Sequence, residues 1–210
     1  GRRAVVALGH HADDSVETVV MKLLRGSRLA SLTGIAPLVE DRGLVKLRPL
    51  LGFAKAELVQ YLSDLGLEWR EDSSNTTDKY QRNRVRRQLI PLLQDLAGSP
   101  KALTERLSEI GRQAQLLDRW VRDEVEARPA GCEEGGRFVW DPTEADFLQR
   151  ERLARFLSKG KGGGGVCSRS VEEVWRALTS PNAGGEKRAD LGDKYQAVCR
   201  DRSVAVVHLG

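Results

Sequence analysis

The first apolar run, Ala4 to Leu8, has no polar alternation and is partly β-branched, which predicts a strand buried on both faces of a parallel sheet. Gly9-His10-His11-Ala12-Asp13 reads as a loop. From Asp14 the spacing turns helical, with Val16, Val19, Val20, Leu23 and Leu24 on one stripe and Gly26 placed to end the helix. Leu44 to Leu47 predicts a second strand, residues 54–65 an amphipathic helix closed by Gly66, and Leu67 to Arg70 a further strand. Strand, helix, strand points to an α/β architecture, here a partial doubly wound parallel sheet.

Residues 72–77 (DSSNTT) form a polar stretch dense in capping residues, followed by a helical segment over 79–96 that Pro91 should kink or interrupt. We place a domain junction there, dividing the chain into 1–96 and 97–210. The second part predicts a long helix over 101–128, carried by Leu103, Leu107, Ile110, Ala114, Leu117 and Val121. A connector with Pro129, Gly131, Gly135 and Gly136 leads to a helix over 143–158. Lys159 to Gly165 (KGKGGGG) lacks the strand-then-helix context of a phosphate loop and reads as a surface loop. Ser170-Val171-Glu172-Glu173 matches a capping box opening a helix to about residue 178. Tyr195 to Arg200 and Ser203 to Val207 predict a terminal β-hairpin around Asp201-Arg202, so this part is mainly helical with a hairpin at its end.

Composition narrows the class without naming a function. No apolar run approaches the roughly 20 residues of a membrane-spanning helix, and 30% charged residues fit a globular chain. A net charge of +4, from 34 basic and 30 acidic residues, permits nucleic acid without requiring it. Cys132, Cys167 and Cys199 lie 35 and 32 positions apart, too far for a CxxC pair, and fit a reducing cytosol. Trp69, Trp120, Trp140 and Trp175 are scattered, as core or interface residues rather than a base-stacking platform. The start at Gly1-Arg2-Arg3, with the one methionine at Met21, leads us to expect that the chain begins inside a larger protein.

The densest polar cluster is HHADDSVET, His10 to Thr18, where the first strand meets the first helix and where open α/β sheets bind ligands. Asp14 as N-cap with Glu17 three residues later also matches a helix cap, worth about 1 kcal/mol. Three chemistries fit: a metal-dependent hydrolase with His10, Asp13 and Asp14 as ligands, carboxylates gripping a cationic substrate, or carboxylates holding Mg²⁺ against nucleotide phosphates. Arg25-Gly26-Ser27 closes the same helix. The second cluster, Lys79 to Arg87, carries five positive charges and no acid in nine residues. Arg82 and Arg86, like Arg84 and Arg87, repel one helical turn apart, so phosphate binding gives them a physical motive beside a solvated face.

HHADDSVET with RGS eight residues after Glu17, RPLL at Arg48 to Leu51, and KAELVQYLSDLGLEWREDSSNTTDKYQRNRVRRQLIPLL together resemble tRNA(Ile)-lysidine synthetase over about the first 95 residues. The resemblance implies a PP-loop ATP-pyrophosphatase fold of the adenine nucleotide alpha hydrolase-like kind and a cytosolic ligase. Its substrates would be ATP with Mg²⁺, free L-lysine and tRNA(Ile) with a CAU anticodon. ATP adenylates the C2 oxygen of the wobble cytidine, and the lysine amine then attacks C2 and releases AMP. By carry-over, Asp14 and Glu17 bind and orient lysine, and His10 lies near the nucleotide phosphates. Arg25, Gly26, Ser27, Arg82 and Arg84 line the ATP site, and Arg82, Arg84, Arg86 and Arg87 contact tRNA. No metal-ligating set is implied, no membrane partner is expected, and a homodimer is compatible. The family's opening SGGxDS phosphate loop has no counterpart here, so we expect these 210 residues to be inactive alone. A tRNA thiolase, which uses paired cysteines, is disfavoured; a metal-dependent hydrolase and a non-catalytic tRNA-binding remnant are the alternatives.

Overall fold

The computed structural model describes residues 4–41, 43–70, 81–127, 136–162, 165–180 and 185–210. The polar stretch 72–77, Lys79, most of the 129–136 connector, Cys132 and Gly163-Gly164 lie outside them. The chain forms two compact units, residues 1–25 with 29–116 and residues 26–28 with 117–210. The first unit thus takes in residues 97–116, beyond the junction that the polar stretch suggested.

In the first unit, β1 (Ala4–Ala7) pairs in parallel with β3 (Leu44–Leu47), and β2 (Leu38–Asp41) pairs antiparallel with β3, giving the order β1-β3-β2. The α/β class holds, but the sheet is mixed rather than wholly parallel. The chain returns through a hairpin with Gly43 at φ +81°, a left-handed position that glycine adopts without steric cost. Among the described residues β1 lies at the edge of the sheet, with Val5 62% and Val6 41% exposed. Leu67 to Arg70 is not a strand; these residues follow the helix α2 (Lys55–Asp64) as exposed irregular chain, with Trp69 45% exposed. Gly26 and Gly66 both take left-handed conformations just beyond α1 (Ala12–Leu24) and α2, as their spacing predicts.

Helix α1 buries its stripe as expected. Val16, Val20 and Met21 pack with Val85, Ile90 and Leu103, joined by Leu89, Leu93 and Leu107. The partners come from α3 (Gln81–Arg84), a π-helical turn (Val85–Leu89), α4 (Ile90–Ala97) and α5 (Pro100–Ala127). The interruption expected of Pro91 is that π turn. Pro91 sits in the first turn of α4, where a missing N–H costs least, and the wider turn precedes it, with Ile90 N–H bonding to the Val85 carbonyl. The stripe of α5 differs at one place: Ile110 is 41% exposed and Gly111 faces inward instead. A side chain at Gly111 would come within 3.1 Å of the Gly34 backbone nitrogen, so this glycine lets the 32–36 loop lie against the helix. That loop is clamped by Lys22 Nζ, which donates to the Thr33 carbonyl (2.6 Å), by Ser15 Oγ, which accepts from Ile35 N–H (3.1 Å), and by Arg48, which donates to the Ala36 carbonyl (2.8 Å).

The second unit packs α6 (Asp146–Gly160) and α7 (Ser168–Thr179) on a four-stranded antiparallel sheet. Its order is β4 (Phe138–Val139), β7 (Ser203–His208), β6 (Tyr195–Arg200), β5 (Lys187–Gly192). The predicted hairpin is β6–β7, extended on both sides. Both tight turns, Asp193-Lys194 and Asp201-Arg202, hold two consecutive residues at positive φ, the conformation that matches strand twist in two-residue hairpins. Leu153, Leu157, Val174, Leu178, Ala197 and Val204 are fully inaccessible in the core between helices and sheet. Helix α7 starts earlier than the capping-box match implied: its N-cap is Cys167, whose sulfur accepts from Ser170 N–H, while Ser170 Oγ donates to the Asp190 carbonyl (2.9 Å). Trp175 is buried in this core under the guanidinium of Arg150, whereas Trp120 is 47% exposed.

Candidate functional site

The first turn of α1 is built differently from the cap that DxxE suggests. The N-cap is His11, and Asp14 at the third helical position accepts from the His11 backbone N–H (3.0 Å). Glu17 lies a turn further on, takes no part in capping, and is 2% exposed. A carboxylate buried so deeply needs charged partners, and two arginines supply them. Arg82 Nε donates to Glu17 (3.0 Å), and its terminal nitrogen lies 3.4 Å from Asp14. Arg86 donates to Glu17 through Nε and, at 3.0 Å, through a terminal nitrogen that also reaches Asp14 (3.1 Å). The Glu17 hydrogen bond, against a smaller opposing effect of burial, raises the Arg86 guanidinium above its ordinary value, so its charge is fixed at any working pH.

Asp13, named in the sequence only as a metal ligand, joins two helix starts. Its carboxylate accepts from the Lys55 backbone N–H at the first turn of α2 (2.7 Å) and lies 3.2 Å from His11 Nδ1. The Ala12 N–H donates to the Phe53 carbonyl (2.9 Å), so the two helix N-termini meet at the carboxyl ends of β1 and β3. Beside them opens a pocket of about 270 Å³. Glu17, Arg86, Asp13, His11 and Lys55 give it a charged side of both signs; Val16, Ile90 and Pro91 form an apolar wall; Gln94 and Thr104 complete it. At the small end of ligand pockets, it suits a molecule of amino-acid size carrying charges of both signs.

The structure therefore brings Asp14, Glu17, Arg82 and Arg86 together and leaves other candidates elsewhere. Arg25 ends α1, eleven residues beyond Asp14 and so about 17 Å along the axis; Gly26 and Ser27 belong to the second unit, where the Gly26 carbonyl accepts from Ser168 Oγ. Arg84 and Arg87 are exposed. His10 follows β1, and its Nδ1 is buried without a hydrogen-bond partner. The hydrolase alternative needs ligands that converge, but among the described residues no three of His, Cys, Asp and Glu are grouped to hold a metal ion. Lys55, Gln94 and Thr104 carried no signal in the sequence, because each stands alone in an ordinary helical pattern.

A PP-loop domain family matches residues 2–93. The chain is 38% identical to a tRNA(Ile)-lysidine synthase of Solibacter usitatus over 187 residues, 86% of this chain and 41% of the relative. It is 32% identical to one of Geobacter sulfurreducens over 185 residues, 86% of this chain and 39% of the relative. A third, of Bacteroides thetaiotaomicron, is 38% identical over 125 residues, 59% of this chain and 28% of the relative. The chain thus spans well under half the length of these relatives, and the similarity to two of them runs into the second unit.

Proposed function

We propose that the chain, which matches a PP-loop domain over residues 2–93 and is similar to tRNA(Ile)-lysidine synthases, supplies the lysine pocket and part of the tRNA surface of such an enzyme. The observation that carries this reading is a pair of buried carboxylates, Asp14 and Glu17, held by arginines beside a pocket of amino-acid size.

The reaction joins lysine to C2 of the wobble cytidine of tRNA(Ile) with a CAU anticodon. ATP, when bound, supplies the AMP group that turns the C2 oxygen into a leaving group, with loss of pyrophosphate; the lysine amine forms the new C–N bond as AMP departs with that oxygen. His10 fits a role beside the nucleotide, since its buried Nδ1 lacks a partner and the starts of α1 and α2 favour negative charge nearby. Mg²⁺ does not fit the carboxylates of this site: Asp14 and Glu17 are bound to guanidiniums and Asp13 to a backbone N–H.

An incoming ammonium has to share these carboxylates with the arginines. Arg82 is the one placed to yield, being half exposed and 3.4 Å from Asp14, while Arg86 grips both acids. The bound amine stays neutral only if a base accepts its proton, and His11, 3.4 Å from Asp14, lines the same pocket.

Two measurements test the proposal. Filter retention of tRNA should weaken with rising salt, and Arg84→Ala should flatten the slope of log K against log salt by about 1 while leaving the melting midpoint in place. An unchanged slope places tRNA elsewhere. With ATP, Mg²⁺, lysine and tRNA(Ile), the 210 residues alone should release no AMP, since they contain no SGGxDS run; AMP above background overturns that expectation.

A further inference from the structure

The pocket beside Glu17 contains two groups that neither folding nor ion pairing accounts for. Gln94 on α4 and Thr104 on α5 both line it, both are partly buried, and neither side chain has a hydrogen-bond partner among the described residues. Being only partly buried, their polar atoms are left to solvent or to a ligand, in a pocket whose lining also includes the apolar Val16, Ile90 and Pro91. Neighbouring polar positions of the unit are satisfied: Ser99 Oγ accepts from Ala102 N–H (3.1 Å), and Ser15 and Thr33 are both used in the clamped loop.

We propose that Gln94 and Thr104 are specificity-determining residues that hold the α-ammonium and α-carboxylate of the bound amino acid while its aliphatic stem lies on Val16, Ile90 and Pro91. This rests on the reading of the pocket as an amino-acid site. An α-amino acid presents donors and acceptors side by side. A carboxamide and a hydroxyl each donate and accept, so they match both halves of that head group, whereas one charged side chain matches only one half and repels the other. The charged side of the pocket already provides for net charge through Glu17 and Arg86. The two neutral groups therefore separate an amino acid from a plain diamine of the same length, which carries the same terminal ammonium but no carboxylate.

The test is titration calorimetry of the 210-residue chain with L-lysine and with 1,5-diaminopentane. Gln94→Leu and Thr104→Val nearly keep side-chain volume and should each weaken lysine about tenfold, the loss expected when a hydrogen bond to a charged group is removed, and weaken the diamine, which keeps an ammonium at that end but has no carboxylate, clearly less. Gln94→Glu adds a carboxylate next to the ligand's own and should invert the preference, weakening lysine and tightening the diamine. A side chain acting only through the fold cannot produce that inversion. Equal weakening of both ligands, or no change in either, overturns the assignment of these two residues. A wild-type chain that binds no lysine overturns the amino-acid reading of the pocket along with it, whereas lysine binding with indifferent variants removes only the roles of Gln94 and Thr104.

Discussion

Replacing Arg82 and Arg86 together with methionine is expected to destabilise the first unit by about 3–5 kcal/mol, the range found when a buried ion pair loses one side. The direction of the change decides the size. Glu17 is 2% and Asp14 8% exposed, so neither carboxylate can turn to water once its partners are gone. The arginines are different: their side chains are 49% and 37% exposed, and they can be rehydrated in place. Removing the acids should therefore cost much less than removing the bases, although both edits break the same contacts. Methionine keeps most of the apolar stem, which limits the loss of packing. Adding Glu17→Gln to the double variant should recover more than half of the loss, because an amide is far cheaper to bury than an unpaired carboxylate. Urea unfolding of the wild type, the double variant and the triple variant measures this directly. A double variant with wild-type stability, or a triple variant no better than the double, would show that the ion-pair cluster does not hold α1 to the 81–97 segment.

The same cluster shows where the sequence stops being informative. The stripe Val16, Val19 and Val20 announces a buried helix face because period and residue type agree, and HHADDSVET announces chemistry because acids and histidines crowd a strand-to-helix junction. Which acid does what is set by a three-residue shift of the helix start. With His11 rather than Asp14 as the N-cap, the capping role moves to Asp14, and Glu17 is free of it and turned inward. Nothing local distinguishes the two registers, since the partners that decide between them, Arg82 and Arg86, are 65 and 69 residues away. Gly111 reads as a flaw in the α5 stripe until Gly34 is seen against it. Hairpin turns were the easier part, because Asp201-Arg202 separates two short strand-like segments, Tyr195 to Arg200 and Ser203 to Val207, at two-residue spacing.

Glu17→Gln in the otherwise unaltered chain separates site from scaffold, and it should reduce lysine affinity by about 30-fold or more. That is the lower end of what is lost when one member of a desolvated charge pair is neutralised, about 2 kcal/mol. The amide keeps the shape of the side chain and can still accept a hydrogen bond from Arg86, and the half-exposed arginines stay solvated. The unfolding free energy should accordingly move by no more than about 1–2 kcal/mol. Arg82→Met acts in the opposite sense. It removes the weaker of the two competitors for the acids, at 3.4 Å from Asp14, and leaves Arg86 in place, so an ammonium ligand should bind more tightly than to the wild-type chain. Calorimetric titration with lysine, set beside urea unfolding of the same preparations, gives both numbers for each variant. Should Glu17→Gln bind lysine as the wild type does while only its stability falls, the carboxylate is there to anchor two arginines, and the ligand's charge is met elsewhere in the pocket. Should affinity collapse with stability nearly intact, and rise when Arg82 is removed, then Arg82 and the substrate's ammonium compete for the same carboxylates.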